Sequence, residues 1–250
     1  MRCMKTQFQV LSLVLLSSVH AMGAVVQRVD VVSPPELANT DGPSFVTPAA
    51  FSVHYQQLYP SSLFSALPPG GGLLKEVAFR VDAPSGGFWN AQKTGIQVTV
   101  SKFTQGSLSP VFSANIGTDG FRLIDSSQNI SLNSQWIDAF TPTRFGIAFG
   151  VGASEGFHYD PSQGDLLVDV SGLSVPLLLD SYVGTKPIAV WQSTQDFNSP
   201  QGRLSSEGLV TLFHFTVPEP GSSAFLALGL GALLLTRASQ RKLKEPNVPI

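Results

Sequence analysis

Asp160, Asp165 and Asp169 lie in one short stretch, around Pro161 and Gly164. Carboxylates so placed offer the oxygen ligands that Ca²⁺, a hard cation, takes from acidic loops. The spacing is not that of an EF-hand loop. The stretch also reads as a hairpin, and this reading is preferred. Asp160 would accept backbone N–H groups, Pro161 would fix a turn, Gly164 would take positive φ, and a strand would follow. Asp160 and Asp165 are the calcium candidates, and Asp169 is expected to face solvent or the loop end. His54, His158 and His214 are scattered, and no HxH or HxxxH spacing preorganises a zinc site. No Gly-x-Ser-x-Gly elbow, phosphate loop or dinucleotide fingerprint occurs. Between residues 25 and 217 glutamate is confined to Glu36, Glu76, Glu155 and Glu207. The residues therefore predict no enzyme and no cofactor. Trp89, Trp136 and Trp191 stand in or beside loops. Their flat apolar rings with a polar handle would stack on sugars if exposed, or else pack in the core or at a sheet end, which is the preferred reading.

These residues sit on segments that alternate with period two. Val77, Phe79 and Val81 share one face, with Ala78, Arg80 and Asp82 opposite. Similar alternation runs through Ile96–Ser101, Arg144–Phe149, Leu166–Val170 and Thr211–Phe215. This is the pattern of half-buried strands. Further strands are expected near 25–32, 50–57, 109–115, 176–181 and 187–193, and a helical turn near 60–64. Pro68-Pro-Gly-Gly-Gly72, Asp160-Pro-Ser-Gln-Gly164 and Ser199-Pro-Gln-Gly202 supply turn chemistry. The expected fold is all-β: an antiparallel β-sandwich, jelly-roll-like, over residues 25–216.

The N-terminus has a different character. Arg2 and Lys5 precede the apolar stretch Val10–Val19, and small residues follow in Ala21-Met-Gly-Ala24. Residues 1–24 thus read as a secretory signal peptide, handled by the Sec translocon and signal peptidase. Cys3 is the sole cysteine and would leave with it. Residues 25–217 then carry fifteen acidic and nine basic residues, a net charge of −6. That balance argues against nucleic-acid binding, which needs basic patches.

The C-terminal segment has three parts: Val217-Pro218-Glu219-Pro220, the uncharged span 221–236, and a tail with Arg237, Arg241, Lys242 and Lys244. The prolines fix an extended strip. A helix over the span would extend about 24 Å, short of the ~30 Å of a bilayer core. Insertion would need a thinned bilayer or snorkelling of the flanking basic residues. The basic tail predicts a cytoplasmic C-terminus. Residues 217–250 in this order resemble the sorting signal of PEP-CTERM proteins. The resemblance implies processing by an exosortase, a transpeptidase-like membrane enzyme, in a Gram-negative bacterium that makes exopolysaccharide. Segments 54–64, 74–82 and 157–170 resemble a recurrent ectodomain of such proteins. That second resemblance implies a secreted β-rich domain and brings no assigned activity.

The resulting expectation is an exported protein, transiently anchored in the inner membrane and then carried to the cell surface or matrix, with a structural or adhesive role. The alternative is an exopolysaccharide-binding module, and a third reading is a secreted hydrolase.

Overall fold

Period-two alternation does build this chain from antiparallel strands. The computed structural model describes residues 26–45, 53–82, 89–134, 145–152, 155–173, 178–186, 188–192 and 199–218. A five-stranded sheet runs in the order β1 (Val26–Ser33), β16 (Thr211–Pro218), β4 (Gly72–Arg80), β10 (Phe157–Tyr159), and β9 (Phe145–Gly150) also pairs with β4. A six-stranded sheet runs β14 (Arg203–Ser205), β13 (Ala189–Trp191), β3 (Val53–Tyr59), β11 (Asp165–Leu173), β6 (Gln97–Phe103), β7 (Phe121–Ile124). A smaller sheet joins β15 (Glu207–Leu209), β12 (Leu179–Val183) and β2 (Ser44–Phe45), and β5 (Trp89–Lys93) pairs with β8 (Ile130–Ser134). The one α-helix among the described residues is a single turn, α1 (Phe112–Asn115).

Residues Arg28–Val217 form one compact unit. Its main core is shared by the two large sheets. Val77 and Phe79 of β4, Ile147 and Phe149 of β9, and Phe213 and Phe215 of β16 meet Val98 and Val100 of β6 and Leu166, Val168 and Val170 of β11 in one buried cluster. The expected turn after Pro60 is a 3-10 turn, Ser61–Phe64, and it delivers Phe64 into this core. The Phe64 ring lies edge-on to Tyr159 at 5.0 Å and to Phe213 at 5.2 Å. Tyr59 of β3 bonds Thr211 of β16 at 2.7 Å and so ties the two sheets together. The Tyr59 hydroxyl is held well above the usual phenol range by its burial.

Two expectations are overturned for one physical reason: more of the sheet surface is covered than alternation alone predicts. The face of β4 opposite Phe79 was expected to meet solvent, yet Ala78, Arg80 and Asp82 are all buried. Asp169 is expected from the sequence to face solvent or the loop end. It is buried, because a second apolar cluster of Leu58, Phe103, Leu108, Phe112, Leu167 and Val190 covers the outer face of the six-stranded sheet. The strand expected over 109–115 is instead a bridge at Val111 followed by α1. Phe112 and Asn115, three apart, fall on one side of that turn, and both are buried.

The Pro-Gly cluster at 68–72 folds as its chemistry requires. Gly71 N donates to Pro68 O at 2.8 Å, with Pro69 and Gly70 as the central residues and φ +88° at Gly70. Gly71 itself has φ +82°, and a Cβ there would lie 1.9 Å from Tyr159 O. Only glycine lets these two backbone segments approach so closely.

The expected signal peptide 1–24, the C-terminal span 221–236 and the tail 237–250 lie outside the described residues. Among the described residues no helix is long and apolar enough to cross a membrane.

Candidate functional site

The chain leaves its fold through β16. Thr211, Phe213, Phe215 and Val217 alternate as buried residues along this strand, and Leu212, His214 and Thr216 are half-buried. β16 lies against β4 in antiparallel register, with Thr216 opposite Leu73. Val217 is buried, and a Cβ on Gly72 would come within 2.8 Å of its Cγ1. Pro218, the next residue, is exposed. No spacer separates the last core contact from the first proline of the Pro218-Glu219-Pro220 strip. Glu219, Pro220, Arg237, Arg241 and Lys242 are outside the described residues.

A second feature lies where β4 ends and β12 begins. Arg80 is fully buried. Its Nε donates to Asp180 Oδ2 and its Nη1 to Leu37 O, and its guanidinium stands 5.9 Å from the Phe145 ring centre. Asp82 and Asp180 are also buried, while Asp41 is exposed. One carboxylate oxygen from each of Asp41, Asp82 and Asp180 lies within 4.8 Å of the others. Burial pushes the Asp180 carboxyl up to about 6, although Arg80 beside it pulls the other way and Asp41 adds to the rise.

The calcium candidates near 160 are used differently. Asp160 Oδ1 accepts Ser162 N at 2.9 Å, Pro161 starts a 3-10 turn, and Gly164 takes φ +138°. Asp160 is held below the usual carboxylate range by the Ser162 bonds. Asp165 accepts Ser61 N at 2.8 Å. Asp169 is buried on the outer face of the six-stranded sheet, bonded to Gln56 Nε2 at 2.7 Å and to His54 Nε2 at 2.8 Å. Asp160, Asp165 and Asp169 do not converge on a three-ligand group, whereas Asp41, Asp82 and Asp180 do.

His54, Gln56 and Asp169 belong to a network that docks α1. Gln56 Nε2 also donates to Phe112 O at 2.9 Å, Asn115 Nδ2 donates to Gln56 Oε1 at 2.8 Å, and the His54 ring stacks on Phe112 at 3.8 Å. His214 instead approaches Asp30 at 3.3 Å, and His158 is exposed on β10. The histidines are thus not brought together among the described residues. Trp191 is half-buried and packs against the main core. Trp136 and the side chain of Trp89 are outside the described residues.

Residues 216–242 match the family model of the PEP-CTERM protein-sorting motif. The chain carries a PEP-CTERM sorting motif. No curated protein and no solved structure matches the chain. The matched segment begins inside β16, so Thr216 and Val217 belong both to the core strand and to the PEP-CTERM motif. The motif implies an exported, cell-surface-sorted protein processed by an exosortase. Val217 can be read twice. It fills the core beside Gly72, and it sets the first motif proline at the edge of the fold. The cluster around Arg80 left little trace in the sequence. Alternation put Arg80 and Asp82 on a polar face, and nothing local linked them to Asp41 or Asp180, which are distant along the chain.

Proposed function

We propose that this chain is a non-enzymatic surface or matrix protein that its PEP-CTERM motif delivers out of the cell. The observation that carries the reading is the match at 216–242, joined without a spacer to the last core strand. On this reading residues 1–24 are removed by signal peptidase after Sec export. The span 221–236 then holds the protein transiently in the inner membrane, with the basic tail on the cytoplasmic side. An exosortase acts at the Pro218-Glu219-Pro220 strip, whose first residue is exposed. The body stays at the surface or in the matrix with a structural or adhesive role. Two antiparallel sheets around one core support a jelly-roll-like β-sandwich for that body.

Exopolysaccharide binding is the alternative. The half-buried setting of Trp191 against the core favours packing over sugar stacking at that residue and so favours the structural role. The test is replacement of Pro218, Glu219 and Pro220 by alanine, followed by fractionation of the cells. The expected result is retention of the unprocessed chain with the membrane and loss of release to the surface and medium. Processing and release at wild-type levels would contradict the reading.

A further inference from the structure

We infer, on the reading that an exosortase acts at 218–220, that the folded body restrains its own sorting: the end of β16 must leave the sheet before the strip after it is processed. Thr216 and Val217 belong both to the PEP-CTERM motif and to β16. β16 is an interior strand, flanked by β1 and β4, and Thr216 stands opposite Leu73. An enzyme that takes an extended substrate by strand addition needs an open edge and pockets for alternate side chains. Here the alternate side chains before the strip, Phe215 and Val217, are already buried in the core. Between Val217 and the apolar span at 221 stand Pro218, Glu219 and Pro220, which extend about 11 Å at most. The two prolines have no N–H with which to pair.

The restraint is local and opens without global unfolding. The register of β16 on β4 shifts between His214 and Phe215. Two paired positions lie beyond that shift, Phe215 with Leu74 and Thr216 with Leu73. Phe215 is fully buried, its ring 5.8 Å from Phe64 and 6.3 Å from Tyr159. Opening therefore stops at Phe215 and costs the seat of Val217 and the pairing of Thr216. The ends of a fold open at far less than the global free energy. When opening and closing are fast relative to cleavage, processing follows the open population.

Gly72 is the other half of the seat. A Cβ there would lie 2.8 Å from Val217 Cγ1 and 3.4 Å from both Leu67 Cδ2 and Thr216 O. Gly72 is not among the glycines with positive φ, so alanine meets a packing conflict and no backbone strain. A substitution at Gly72 thus disturbs the seat of Val217 and leaves every residue of the motif in place.

The test follows the full chain by pulse-chase in cells that process it. An insertion reading Gly-Ser-Gly-Ser-Thr-Val between Val217 and Pro218 lets the core strand and the motif each keep a Thr-Val pair. It should speed processing about fivefold or more. Gly72→Ala should also speed processing, and in the insertion background it should add nothing. Val190→Ala, in the second apolar cluster on the outer face of the six-stranded sheet, is the control for general destabilisation and should leave the rate unchanged. The restraint is overturned if the insertion leaves the rate unchanged or lowers it, or if Gly72→Ala leaves it unchanged. It is likewise overturned if Val190→Ala speeds processing as much as Gly72→Ala. Alanine at 218–220 separates the two levels. Processing that survives it sinks the exosortase reading itself, whereas processing that it abolishes, with no effect of the insertion, sinks the restraint alone.

Discussion

Replacing Arg80 with methionine should cost about 3–5 kcal/mol of stability, the usual penalty for removing one partner of a buried ion pair. Arg80 and Asp180 are both fully excluded from solvent. Methionine fills much of the volume but leaves the Asp180 carboxylate without its charge partner and Leu37 O without its donor. The effect should be read from urea unfolding midpoints. The double variant Arg80→Met, Asp180→Leu should recover most of the loss, because a buried pair replaced by apolar residues is often neutral. A single-variant loss below about 1 kcal/mol would mean that this pair is solvated and not buried.

Phe213→Ala should cost a similar amount, about 3–5 kcal/mol, through lost burial and the cavity left behind. Phe213 is fully buried at the meeting point of the two sheets, edge-on to Tyr59 at 4.7 Å and to Phe64 at 5.2 Å. In a domain of this size the melting temperature should fall by roughly 8 °C or more. Phe121, half-buried at the margin of the same core, is the control and should cost clearly less when truncated. Equal losses at the two positions would show that the shared core is not centred where β3, β16 and the 3-10 turn meet.

The strands were legible wherever one face meets the core and the other meets water. Phe213–Val217 and Ile147–Gly150 alternate in burial as their residue types do. The turn at Pro68–Gly71 was legible because Pro-Gly chemistry is local. The turn at Asp160 was legible for the same reason, since its side-chain bond spans only two residues. Failures came where a second layer covers the outer face of a sheet. Asp169 and Arg80 have the residue types of exposed positions. Their burial depends on α1 and on the segment around Leu37, both remote in sequence. The Asp41, Asp82, Asp180 group was hidden for that reason too: no spacing rule joins residues brought together only by the packing of β4 against β12. The sorting motif is the opposite case. Its parts are contiguous, so 217–220, 221–236 and 237–250 could be read directly, and the family match falls on the same segment.

Peptide mapping of the protein released from wild-type cells tests the central claim most directly. Trypsin cuts after Arg203, and the next basic residue is Arg237. A processed chain should yield a peptide that begins at Leu204 and ends within Val217–Pro220, with no peptide from 221–250. Recovery of the intact 204–237 peptide from the released protein would contradict the account.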